Sequence, residues 1–169
     1  MSERPSRREE SGAVATDTRR DPIPTRPDVH DVVAARLEAA GQRYTANRRK
    51  LVHVLARAGR PLAIPEILAV EAGFSQSSVY RNLVVLEQAG AVGRILTSDS
   101  ARYELAEGLR EHHHHLVCLS CGSVTDVTLA AGSERAIEAA AEQVAGAAGF
   151  EPTGHRLDIL GVCPGCAAR

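Results

Sequence analysis

No stretch of the sequence approaches the ~18–20 consecutive apolar residues of a membrane-crossing helix, so no membrane partner is expected. The opening residues, Met1-Ser-Glu-Arg-Pro-Ser-Arg-Arg-Glu-Glu10, lack the apolar stretch of a secretory signal, and the expected location is the cytoplasm. The chain has no internal repeat and no helical HExxH or other hydrolase signature, which leaves a metalloenzyme without its usual marker. No cysteine lies outside two CxxC pairs. Net charge is also scarce, at −1 with a pI near 6.7. Such a total argues against a nucleic-acid partner unless it conceals a division along the chain.

That division is present. The 169 residues, 44% hydrophobic, suffice for one ordinary domain or two small ones with a core. Residues 1–27 carry +1, residues 28–97 carry +3, and residues 98–169 carry −5. Five of the seven histidines and all four cysteines fall in the acidic part. Acids, histidines and cysteines together form a metal-binding composition, and the basic middle is a phosphate-facing one.

The cysteines are Cys118-Leu-Ser-Cys121 and Cys163-Pro-Gly-Cys166. In a reducing cytoplasm two such pairs read as one four-cysteine zinc site, each pair placing two thiolates on one side of a tight turn. Two disulfides, or a thioredoxin-like redox motif, do not explain two matched pairs in an acidic, His-rich segment. Just before the first pair runs His112-His-His-His115, internal and therefore unlike an expression tag. In an extended chain, His113 and His115 face one way and His112 and His114 the other, giving two half-sites. Glu104, Glu107 and Glu111 lie upstream as carboxylate ligands; downstream, Glu138 on a helix and His155 on a strand can complete one half-site.

Residues 1–27, rich in Arg, Glu, Ser and Pro, read as a disordered arm. Four helices follow: from Asp31 to Gly41, from Thr45 to Gly59, from Pro65 to Gly73, and over Gln76 to Ala89 behind an N-cap at Ser75. The fourth places Val79, Leu83 and Leu86 inward and Ser77, Tyr80, Arg81 and Val84 outward. That outer face suits either plain solvation or contact with base edges and phosphates. Strands over Val92–Thr97 and Ala101–Leu105 then complete a winged helix-turn-helix, which favours DNA, with Arg94 and Arg102 as phosphate-contact candidates. Beyond a polar connection at 106–111, strands at His112–Cys118, Val124–Leu129 and His155–Leu160 and a helix over Ser133–Ala148 describe a small α+β unit with zinc knuckles at two strand ends.

Tyr44-Thr-Ala-Asn-Arg-Arg49, Ser77-Ser-Val-Tyr-Arg-Asn-Leu83, Arg102-Tyr-Glu-Leu105, His112-His-His-His-Leu-Val-Cys-Leu-Ser-Cys-Gly122 and Cys163-Pro-Gly-Cys166 together resemble the Fur family of bacterial metal-responsive repressors, over roughly residues 28–169. The resemblance implies an α+β protein with a winged-helix DNA-binding domain over 28–105, a hinge over 106–111 and a dimerisation and metal-binding domain over 112–169. It implies structural Zn2+ on Cys118, Cys121, Cys163 and Cys166. A regulatory divalent metal, Zn2+ or Fe2+, falls on His113, His115 and Glu104, with Glu107, Glu111 or Asp99 as substitutes for the carboxylate. A further site falls on His112, His114, Glu138 and His155. DNA reading is assigned to Tyr80, Arg81 and Ser77, and a backbone or minor-groove contact to Arg48. Leu62 and Gly93 stand where other members supply ligands, and His114 stands where many iron-type members have Asp, which leans toward zinc. The implied function is a cytoplasmic, homodimeric repressor binding a palindromic double-stranded operator with metal as corepressor. A peroxide-sensing or thiol redox-sensing regulator of the same fold, or a zinc metalloenzyme, are the alternatives.

Overall fold

Side-chain caps fix where the first helices begin. Asp28 accepts the His30 N–H (2.7 Å) and starts α1 (Val29–Ala39). Thr45 accepts the Arg48 N–H and starts α2 (Ala46–Ala58), which stops at Gly59 in the left-handed region (φ 62°) that a side chain would disfavour. Ser75 does the same for Ser78 N–H at the head of α4 (Gln76–Gln88). Between them lie β1 (Leu62–Ala63) and α3 (Ile64–Val70), followed after α4 by β2 (Val92–Leu96) and β3 (Ala101–Leu105). This computed structural model describes residues 28–97 and 100–168. The arm expected over 1–27 and the candidate ligand Asp99 lie outside the described residues.

The inward stripes of the helices meet over the first sheet, whose order is β1-β3-β2 and whose pairings are antiparallel. Leu51 and Leu55 of α2, Val79, Leu83 and Leu86 of α4, and Tyr103 and Leu105 of β3 are buried in one core. The helices and hairpin form the winged helix-turn-helix, with α4 in the recognition position. Several elements differ from the sequence expectation. Strand β1 spans two residues, too few for any alternation to register, and is induced by pairing with Tyr103 and Arg102. The third helix ends at Val70 rather than Gly73, because Glu71 turns to extended backbone. His155 precedes the last strand rather than lying on it, since pairing begins only at Asp158.

The second sheet holds β4 (His114–Cys118), β5 (Val124–Val127) and β6 (Asp158–Gly161) in the order β5-β4-β6, with α5 (Ala131–Ala147) crossing between β5 and β6. β4 runs antiparallel to β5 and parallel to β6, and a short α6 (Pro164–Ala167) follows. No residue of α5 is buried.

Among the contacts that join the halves are an apolar one and a guanidinium bridge. Ile95 of β2 is buried with Val117 and Val124 of the second sheet. Arg102, with only 15% of its side chain exposed, donates to Glu66 Oε2 (2.7 Å) and to the carbonyl of Gly122 in the first cysteine turn (2.7 Å). Arg102 is therefore committed within the protein and does not present itself to phosphate, and Arg94 pairs with Glu87 at 3.1 Å. Strand β3 is what carries Arg102 to Glu66, far away in the chain; Arg94, midway along β2, keeps 45% of its side chain exposed beside Glu87 and stays a phosphate-contact candidate.

Glu66 also accepts the Ala63 N–H (2.8 Å) and a hydrogen bond from Arg60 (2.8 Å). Burial opposes its charged form, but the Ala63 N–H and the Arg60 and Arg102 guanidiniums outweigh burial and hold its pKa below the ordinary carboxylate value. A depressed carboxylate contributes stability that is present above its unfolded-state pKa and lost as pH falls through the folded-state one. Glu66→Gln is expected to cost about 1–3 kcal/mol at neutral pH by leaving Arg102 without its partner. Denaturant unfolding of both proteins should show that difference shrinking as the medium is made more acidic than Glu66's folded-state pKa.

Candidate functional site

A β-strand sends successive side chains to opposite faces, and β4 begins inside the histidine run. The result is a sorting of four consecutive imidazoles into two groups. His113 and His115 meet Glu104 and Asp126, while His112 and His114 meet Glu134 and His155. In each group the ligand atoms all lie within 4.8 Å of one another.

The first group sits at the junction of the two sheets. Glu104 comes from the wing strand β3, His115 from β4, and Asp126 from β5 directly opposite His115 in the register. Glu104 Oε2 is 3.1 Å from His113 Nε2, and Oε1 is 3.1 Å from His115 Nε2; Asp126 Oδ1 is 3.9 Å from the same nitrogen. Donors bound tetrahedrally at 2.0–2.1 Å stand roughly 3.3 Å apart, so these spacings suit a small divalent cation. The outer ring nitrogens are already held: His115 Nδ1 lies 3.0 Å from Asp158 Oδ1 and His113 Nδ1 lies 2.8 Å from the Glu111 carbonyl. That arrangement turns both Nε2 atoms into the group. His115 Nε2 and Asp126 Oδ1 are buried without a hydrogen-bond partner. Buried polar atoms are rarely left so, and a cation is the partner this donor set fits. Burial disfavours charge on Glu104, but the close approach of His115 and His113 prevails and lowers its pKa; for His115, burial is likewise outweighed by Glu104 and Asp158, and its pKa is raised.

The second group closes around Glu134. His112 Nε2, His114 Nε2 and His155 Nε2 lie 3.0, 2.9 and 3.0 Å from its carboxylate oxygens. His114 Nδ1 and His155 Nε2 are buried without hydrogen-bond partners. The expected carboxylate Glu138 is exposed and not in the group. Glu134 and Glu138 lie one turn apart on α5 (Ala131–Ala147), and Glu134, in the first turn, is the one that reaches the imidazoles. Glu107, a substitute for Glu104 on sequence grounds, hydrogen-bonds His112 Nδ1 instead and raises the pKa of that imidazole. Glu111 offers only its backbone carbonyl.

The third group is the four cysteines. Parallel pairing of β4 with β6 sets Cys118 opposite Gly161, so both CxxC turns emerge at the same end of adjacent strands. Cys121 Sγ and Cys163 Sγ are 3.9 Å apart, against roughly 3.8 Å for thiolates on a tetrahedral zinc. All four are free thiols. Backbone N–H groups of Cys163 and Cys121 draw the Cys118 thiol down to about 6, whereas sharing with Cys163 pushes Cys166 up to about 12. The opposed shifts are the signature of clustered sulfurs giving up protons in succession, and a divalent cation at their centre favours all four as thiolates.

On α4, Ser77, Tyr80 and Arg81 are exposed, and Tyr80 keeps 55% of its surface despite its size. Arg81 Nε reaches back to the Ser77 carbonyl at 3.2 Å, leaving the rest of the guanidinium outward. Arg48 is placed differently from a free phosphate contact. Its guanidinium donates to Asn82 Oδ1 of α4 (3.3 Å), to the Arg43 carbonyl (2.5 Å) and to Gln42 Oε1 (3.4 Å), tying α2 to the recognition helix.

Asp126 and Glu134 escaped the sequence reading. Asp126 is the one acid on β5, and its place opposite His115 depends on a strand register that composition does not reveal. Glu134 carried a signal, an acid in the first turn of a helix, one turn before the acid that the sequence reading chose.

A model of the ferric uptake regulator family matches residues 39–160. The ferric uptake regulation protein of Legionella pneumophila is 33% identical over 136 residues, covering 77% of this chain and 95% of that protein. The peroxide operon regulator of Bacillus subtilis (strain 168) is 30% identical over 138 residues, covering 79% and 90%. The solved structure of the Helicobacter pylori ferric uptake regulator Fur, described as revealing three functional metal binding sites, matches with a TM-score of 0.63 at 27% identity, over 82% of this chain and 91% of that one. The chain belongs to the ferric uptake regulator family, and is a metal-responsive transcriptional regulator rather than an enzyme.

Proposed function

We propose that this regulator is a homodimeric repressor in which Glu104, His113, His115 and Asp126 hold the regulatory cation and Cys118, Cys121, Cys163 and Cys166 hold a structural zinc. The observation that carries the reading is the origin of the junction ligands: Glu104 belongs to the wing, and the other three belong to or adjoin the second sheet. A divalent cation there supplies positive charge that draws carboxylates and imidazoles of both halves together. Residues 106–111 are then the hinge between a winged-helix domain over 28–105 and a dimerisation domain over 112–169. The differential affinity of the cation for the closed arrangement is what makes it a corepressor.

Ser77, Tyr80 and Arg81 read bases or phosphates from the exposed side of α4, and Arg48 positions that helix. Dimerisation is supported by the second sheet and its helix. Among the described residues strand β6 has an unpaired edge, Ile159 and Leu160 on it and Val162 just beyond are exposed, and no residue of α5 is buried in one copy. A two-fold dimer would present two recognition helices to half-sites about 34–36 Å apart, or a multiple of that, on a palindrome. The His112, His114 and His155 group, dominated by imidazoles, leans toward zinc for its own cation. Two imidazoles with two carboxylates at the junction also suit Fe(II), so the metal is chosen between these by titration.

The dimer with its four-cysteine zinc in place should bind operator fragments selected from genomic DNA about 5–150-fold more tightly once the regulatory cation is added, measured against buffered Zn(II) and anaerobic Fe(II). Equal affinity with and without it would contradict the reading. Arg81→Ala should weaken the same binding by about 1–3 kcal/mol while leaving bound metal per chain unchanged. Glu134→Gln should remove one cation per chain from the His112, His114 and His155 group by elemental analysis, whereas Glu138→Gln should remove none.

A further inference from the structure

The hinge segment contains a guanidinium that the metal reading does not use. Arg110 donates from Nη1 to Glu104 Oε2, from Nη2 to Asp126 Oδ2 (2.5 Å), and from Nη2 to the carbonyl of Gly59 (3.4 Å), which caps α2. Its side chain is 20% exposed, and those of the two carboxylates 10% and 18%. One cation thus touches the wing strand, the second sheet and the end of a winged-helix core helix. It takes only one oxygen from each acid. The other oxygens, Glu104 Oε1 and Asp126 Oδ1, face His115 Nε2 at 3.1 and 3.9 Å.

Two carboxylates this close repel one another, and separate segments carry them, so nothing in the backbone holds them together. A planar guanidinium that spans both supplies the missing attraction in a geometry that one ammonium cannot reproduce. We infer that Arg110 is a positioning residue for the junction metal site. It holds Glu104 and Asp126 by one oxygen each, sharing Glu104 Oε2 with His113 Nε2, keeps their other oxygens aimed at His115, and offsets the ligand–ligand repulsion before a cation arrives. This inference rests on the junction reading and deepens it: the hinge itself tunes the metal concentration at which the regulator responds.

The alternative physical role for the same guanidinium is competition, in which it occupies the carboxylates and must be expelled. The two roles predict opposite signs. In full-length dimer loaded with zinc at the four cysteines, Co(II) titration in competition with a chelator reports the His115-dependent part of the Co(II) absorption spectrum. Arg110→Met should weaken that component about 10–100-fold, as loss of a group orienting metal ligands does. Arg110→Lys should recover part of the loss while unfolding as the parent does. Unchanged or tighter Co(II) binding by Arg110→Met would overturn the assignment. A His115→Ala control separates the two claims: Co(II) binding unchanged in that variant would defeat the junction site itself, independently of Arg110.

Discussion

The two-residue period of strand β4 is the constraint on which the metal chemistry depends. On a helix four consecutive imidazoles would fan around the axis and share no face. On an extended segment they divide, His113 and His115 toward the wing and His112 and His114 toward α5. The same strand ends at Cys118, and its parallel pairing with β6 delivers the second cysteine turn to that end. Its antiparallel pairing with β5 delivers Asp126. A slip of one residue would exchange the two histidine groups and separate the cysteine turns, so the register is held by function as well as by burial of Val117 and Val124.

At the junction the problem is electrostatic. Glu104, Asp126 and Asp158 gather around His115 with little solvent to screen them, and two guanidiniums answer: Arg110 across Glu104 and Asp126, and Arg156 on Asp158. The buried Ile95, Val117 and Val124 contact is small. Polar and charged groups therefore carry much of the joint between the halves, which leaves their relative placement open to a ligand in a way that a large apolar interface would not.

Much of this was legible in the sequence because it is written in local signals. Caps at Thr45 and Ser75, the Val79, Leu83 and Leu86 stripe, and the spacing of the cysteines each act within a few residues. What escaped depends on pairs far apart in the chain. Arg102 looked like a free wing cation until strand pairing set it between Glu66 and Gly122. Arg48, expected as a backbone or minor-groove contact, also reaches Asn82 through helix packing that the linear sequence does not show. Asp126 and Arg110, two ordinary charged residues 16 apart, acquire their meaning only from one another and from Glu104. Glu138 failed by one helical turn, since Glu134 on the same helix is the acid that reaches the histidines.

The near-neutral total charge combines a basic half built to meet phosphate with an acidic half built to meet a cation. The central claim is that a cation at Glu104, His113, His115 and Asp126 joins them. Hydrogen exchange of the zinc-loaded dimer, with and without the regulatory cation, tests this most directly. The account predicts increased protection that spans both sides of the junction, in β3 and residues 106–111 as well as in β4 and β5, and that is absent in His115→Ala. Protection confined to the second sheet, or present equally in that variant, would contradict it.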